Sequence, residues 1–239
     1  MNIQRNEMPV YIPALGCTSL LLALVLVLLM PLILIDVMTA ALNRLHLSPP
    51  VAAIAVASMF VGGLVNLPLY RLARTEDQLV DWMGVYHMWG LSPRLQRVHR
   101  ETVVAVNFGG CVVPCLLAGW QIVHMLRTGS DDFPALAAVV TANVLVCYRT
   151  ARPVPGVGVL MPGLVSPMIA LAGTWLICSA DSPHRVCVAF VAGVLGPLIG
   201  ADLLHLKDIT RTAVGMVSIG GAGTFDGIVL SGVLAALLA

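Results

Sequence analysis

Charge is what this chain has least of. Asp, Glu, Lys and Arg make up 10% of its 239 residues, against about 25% in soluble domains. That excludes an ordinary solvated surface. The net charge is +1, so no basic patch is present to neutralise phosphates, and a nucleic-acid partner is excluded. Aromatics are few, at 5%. There is no nucleotide-binding loop, no zinc motif, and no Ser-His pair at a shared depth. No cofactor and no metal are therefore expected. Repeats of fixed period and low-complexity tracts are also missing.

What is present is apolar. Hydrophobic residues reach 59% and the mean hydropathy is +0.94. This composition predicts an integral membrane protein. The length suits one transmembrane domain over residues 1–239, built as a single helical bundle. The 22 glycines and 15 prolines fit that reading. Small residues let membrane helices approach closely, and prolines break helices where the protein itself satisfies the backbone.

Seven apolar segments are predicted: Leu15–Leu42, Val51–Leu69, Thr102–Leu126, Pro134–Cys147, Val157–Cys178, Val186–Leu206 and Ala213–Ala239. Each approaches the roughly 20 residues needed to cross a bilayer. The first is expected to remain as a span, because its apolar run is too long for a cleaved signal. The expectation is an all-α membrane fold of about seven transmembrane helices, the fifth and last broken by Pro and Gly. On one side of such a bundle lie Arg5, Arg71, Arg74, Arg94, Arg97, Arg100, Arg149, Arg152, Lys207 and Arg211. The other side holds Arg44, Arg127 and Arg185. The positive-inside rule then places the N-terminus in the cytoplasm and the C-terminus outside, in the cell inner membrane. The stretch at residues 70–100 is expected to be a cytoplasmic loop. Its Arg94, Arg97 and Arg100 recur every three residues and suggest an interfacial amphipathic helix on anionic lipid.

Of the six cysteines, Cys178 and Cys187 flank one short loop and would pair if it faced an oxidising compartment. Cys111 and Cys115 fall mid-span with no ligand partner nearby and read as packing residues.

Two aspartates interrupt the last two segments. They lie in Gly200-Ala201-Asp202-Leu203-Leu204-His205 and in Gly221-Ala222-Gly223-Thr224-Phe225-Asp226-Gly227. A carboxylate within a span is costly and marks a candidate site. Asp202 lies about 7.5 Å inside the boundary set by Lys207, at 1.5 Å per residue. The final segment would be about 40 Å long as a helix, against a core of roughly 30 Å. Its run of glycines is a poor helix interior. A break is expected there, with Ala213–Ile219 bent or extended and a helix starting near Thr224. Asp226 then reaches the depth of Asp202 on a neighbouring antiparallel helix.

Three roles are open to the pair. Two close carboxylates can share a proton and activate water. They can bind a small cation or relay protons. Or Asp202 bonds backbone amides freed by the glycine break while Asp226 caps the last helix. Supporting candidates are Gly200, Gly221, Gly223 and His205, with Asn107 and Asn66 as amides able to satisfy broken helices. Pro153–Pro167 suggests another broken segment, and paired breaks are a feature of transporter sites.

These stretches, with Asn107-Phe108-Gly109-Gly110, resemble an uncharacterised family of multipass bacterial and archaeal membrane proteins, a domain of unknown function. A more distant resemblance is to intramembrane aspartyl proteases of the presenilin, signal-peptide-peptidase and prepilin-peptidase type. Those carry one aspartate late in a span and another in a Gly-x-Gly-Asp motif. Gly221-Ala222-Gly223 supplies the glycines and Asp226 the aspartate, with Thr224 and Phe225 intervening. That resemblance implies catalytic roles for Asp202 and Asp226 and a transmembrane peptide substrate. The alternatives are an ion- or proton-coupled transporter taking a small cation, and a non-catalytic membrane scaffold. In every case the bilayer is the partner.

Overall fold

A computed structural model describes residues 17–79, 95–154, 158–208, 215–221 and 226–239. The chain divides into two compact units, Met1–Val37 and Met38–Ala239. Helix α1 (Cys17–Asn43) begins in the first and ends in the second. Its first-unit part exposes Leu21, Leu22, Leu26, Leu28 and Leu32.

Helices described in the second unit include α2 (Pro49–Gly62), α3 (Val113–Arg127), α4 (Phe133–Thr150), α5 (Val165–Ile177), α6 (Arg185–Pro197) and α7 (Gly227–Leu238). A π-helical turn at Phe108–Val112 runs into α3, and another at Leu198–Leu203 continues α6. Every predicted apolar segment contains one of these helices. Among the described residues, four helices are long and apolar enough to cross a membrane: Leu21–Asn43, Phe108–Arg127, Phe133–Thr150 and Arg185–Asp208. Helices α2, α5 and α7 are apolar but shorter. Large side chains such as Leu116, Leu126, Leu145, Trp175 and Leu176 face outward, which fits contact with a lipid bilayer.

Helix α6 is the centre of this unit. Residues from Cys187 to Val194 are all buried, and α3, α4, α5 and α7 all pack on it. A helix apolar on every side belongs inside a bundle. Small residues set the spacing. A Cβ on Gly193 would lie 2.7 Å from the Ser231 carbonyl oxygen, and one on Gly232 would lie 2.6 Å from Val194 Cγ2. A polar seam ties the helices together. Asn143 Nδ2 donates to Ser166 Oγ at 3.0 Å and to the Ala192 carbonyl at 2.8 Å. Ser166 and Ser231 hydroxyls meet at 2.6 Å.

The fold is mostly helical, yet the all-α expectation is corrected by two sheets. Strand β1 (Asn66–Leu79) pairs antiparallel with β2 (Leu95–Asn107), from Asn66↔Asn107 to Leu79↔Leu95. Strand β5 (Gly215–Ile219) adds parallel to β2, giving the order β1-β2-β5. Strands β3 (Arg152–Val154) and β4 (Gly158–Leu160) form a small hairpin. The second and third segments are therefore not helical throughout. The cause lies in β-branched Thr102, Val103, Val104 and Val106, which suit a pleated sheet. Of the stretch at residues 70–100, where an interfacial helix is expected, residues 70–79 and 95–100 are strand and the middle lies outside the described residues. A three-residue spacing of arginines marks one face only on a helix. Arg97 and Arg100 are in β2, and Arg94 is outside the described residues. Cys178 and Cys187 are free and buried.

Candidate aspartate site

Asp202 sits in the π-helical turn that follows Pro197. Proline has no N–H to continue the helical ladder, so the bonding register is free to widen there. Gly200 makes that turn possible next to α4. A Cβ at Gly200 would collide with the Val144 carbonyl oxygen and come within 2.8 Å of Cys147 Cβ. His205 is buried, with Nδ1 at 3.2 Å from the Gly200 carbonyl and 3.1 Å from the Ala201 carbonyl. Its ring faces Tyr148 at 4.8 Å. His205 thus serves the carbonyls loosened by the π turn. It is not among the residues lining the cavity beside Asp202.

Asp226 reaches the site from the start of α7. Strand β5 ends at Ile219, and Gly220 turns the backbone at φ +68°. Only glycine takes that conformation readily. A Cβ there would also stand 2.8 Å from the Gly110 carbonyl carbon. Helix α7 starts at Gly227, with Asp226 as its N-cap accepting from the Ile228 amide at 3.0 Å. The extended piece and the helix start both agree in kind with the sequence reading. Gly221 follows the turn, where a Cβ would lie 2.9 Å from the Ser218 carbonyl oxygen. Gly223 lies outside the described residues.

Asn66 and Asn107 act one step back from the carboxylates. Asn107 Nδ2 donates to the Gly63 carbonyl at 2.8 Å and to Asn66 Oδ1 at 3.1 Å. Its own Oδ1 accepts from the Gly110 amide at 2.7 Å, capping the first π turn. Ser218 of β5 donates to Asn66 Oδ1 at 2.5 Å. This clasp fixes β5, and β5 delivers Gly220, whose backbone amide donates to Asp202. Ser218 had no separate role in the sequence reading. Its signal is a hydroxyl just before a glycine run, on a strand whose partner ends in Asn107.

Asp202 and Asp226 line one cavity of about 110 Å³, together with Pro197, Ile228, Val159 and Met161. The two carboxylates are close enough to repel one another. With about 30 Å³ per water molecule, the space suits a few waters. It is well below the roughly 300 Å³ of the smallest ordinary ligand pockets. Cys111, read from sequence as a packing residue, lies within electrostatic reach of both aspartates, and its free thiol shares a hydrogen bond with the free thiol of Cys115 one turn on. Among the described residues no three His, Cys, Asp or Glu side chains converge to hold a metal ion.

The family model described as "Protein of unknown function (DUF1614)" matches residues 60–238. The chain belongs to that family. The DUF1614 match begins within α2 and takes in Asn66, Asn107, both aspartates and His205, so the whole candidate site lies inside the family's domain. No curated protein and no solved structure matches the chain.

Proposed function

We propose that this DUF1614 protein is a seven-span membrane hydrolase of the intramembrane aspartyl-protease type, with Asp202 and Asp226 as its catalytic dyad near the cytoplasmic face. The observation that carries the reading is the shared cavity: two carboxylates from neighbouring helices, within each other's field, around a water-sized space. Close carboxylates hold one proton between them. One takes a proton from the attacking water, and the other gives its proton to the scissile carbonyl oxygen. The amide of Gly220 positions Asp202, and the α7 N-terminus positions Asp226. The present volume admits a few waters and no peptide. A peptide bond enters when the wall formed by Val159 and Met161 moves aside.

A second reading is a proton- or cation-coupled transporter using the same pair. The convergence of a π turn, a left-handed glycine turn and the β3–β4 hairpin on the carboxylates favours it, since broken backbone of this kind lines transport sites. Purified protein in micelles would be offered a photoreactive hydroxyethylene isostere, a mimic of the tetrahedral intermediate that binds a singly protonated dyad. The hydrolase reading expects labelling of the native chain and none of Asp202→Asn or Asp226→Asn. Absence of labelling, with carboxylate-dependent proton or sodium flux in proteoliposomes, would replace it with the transporter. If labelling persists in both variants, the dyad is not the site.

A further inference from the structure

Three histidines meet at the end of the bundle opposite the aspartate cavity, and neither reading above uses them. His46 is in the α1–α2 loop, His124 near the end of α3, and His184 is the N-cap of α6. The rings of His46 and His124 are 5.1 Å apart, and those of His124 and His184 are 6.0 Å apart. His124 therefore stands between two other imidazoles. Each outer member bonds a different loop. His46 Nε2 donates to the Pro183 carbonyl at 3.1 Å. Thr128 gives its hydroxyl proton to the His124 carbonyl at 2.9 Å, so its oxygen accepts from His184 Nε2 at 2.8 Å. That leaves Nδ1 of neutral His184 bare and 4.0 Å from Asp132 Oδ2. His46 also has φ +56°, a left-handed backbone uncommon for a side-chain-bearing residue. Its bond to Pro183 helps hold it there.

The charged surroundings are unequal. Asp132 is the only carboxylate recorded in contact with any of the three rings among the described residues, and it touches His184 alone. It is also bonded by Ser182. The remaining titratable groups on the adjoining elements are Arg44, Arg127, Asp131, Cys178, Asp181, Arg185 and Cys187. Arg44 is engaged by the Ala236 and Leu237 carbonyls at the end of α7. Arg127 and Arg185 stack over Trp120 and Trp175. Asp132 thus offsets charge at His184 alone, and charges on both His46 and His124 would stand on rings 5.1 Å apart with no carboxylate in contact among the described residues.

We propose that His46, His124 and His184 form a pH-responsive joint that ties the α1–α2, α3–α4 and α5–α6 loops together near neutral pH and releases the α1–α2 loop in acid. The sign follows from the charges. His46 keeps its N–H toward Pro183 in either state, so the change comes from repulsion: neutral imidazoles stack, adjacent imidazoliums repel, and closure present above the histidine range weakens as pH falls through it. Two unit charges about 5 Å apart in water-like surroundings shift a local equilibrium by about fourfold. The joint depends on no step of the hydrolase or transporter readings.

Hydrogen exchange of the full chain in micelles tests it, compared at about pH 7.5 and about pH 5 after correction for intrinsic exchange. In the native chain, exchange in residues 44–48 should rise about fourfold in acid. His124→Gln removes the central charge and should suppress that rise, as should His46→Gln, which guards against one variant misfolding. No rise in the native chain overturns the proposal. So does an equal rise in folded His124→Gln and His46→Gln.

Discussion

Replacing Asn143 with leucine isolates the polar seam from the rest of the packing. The two side chains branch at the same carbon, so leucine keeps much of the shape against Gly196, whose Cβ position abuts the Asn143 amide. What is lost is hydrogen bonding between helices: Nδ2 to Ser166 Oγ of α5 and Nδ2 to the Ala192 carbonyl of α6. Interhelical hydrogen bonds in membrane proteins average about 0.6 kcal/mol and reach about 1.7 kcal/mol. Two of them give an expected loss of about 1–3 kcal/mol. The Cys147 thiol, which donates to Asn143 Oδ1 at 3.4 Å, loses its acceptor as well. Reversible denaturant unfolding in micelles reads the loss as a lower midpoint at constant slope. Pairing Asn143→Leu with Ser166→Ala should show a coupling of about 0.6 kcal/mol. A leucine variant as stable as the native chain would refute the reasoning, because the seam would then add no net hydrogen-bond energy.

Asp226→Asn should stay within about 0.5 kcal/mol of the native stability, since asparagine caps a helix as well as aspartate, whereas Asp226→Ala should cost about 1 kcal/mol; thermal unfolding of both variants checks this. Gly220→Ala should destabilise by about 1–2 kcal/mol from its left-handed backbone alone, with a further cost from the contact 2.8 Å from Gly110, read by the same melt. Alkylation of the denatured chain without reductant, followed by mass measurement, should modify both Cys178 and Cys187, which are free thiols; a mass consistent with a bridge would contradict the structure.

The break before α7 was legible because glycines at 220, 221 and 223 cannot sustain a helix interior, and the depth of one carboxylate relative to the other then follows from counting residues. The strands were not legible in the same way. The run at residues 103–106 is apolar throughout, and neither the helical nor the strand period leaves a mark on a run with no polar face. The β-branched residues were the available signal, outweighed by the assumption that an apolar run in a membrane protein is a helix. His205 shows a different limit. Its spacing from Asp202 fits one helical face, but the π turn changes the angle per residue, so the side chain serves the backbone instead. The clasp of Asn66, Asn107 and Ser218 joins residues far apart in the chain, and only the β1-β2-β5 register brings them together.

The parallel pairing of β5 with β2 also sets an order in time. Strand β2 and its antiparallel partner are made before β5, Gly220 and Asp226. Until they arrive, Asp202 has neither its Gly220 donor nor its neighbouring carboxylate, and one edge of β2 has no β5 to pair with. A growing chain therefore carries an incomplete site until β5 and α7 have been made. The two aspartates come together only when α7 closes on α6, so the pair is withheld from every nascent chain that stops short of α7.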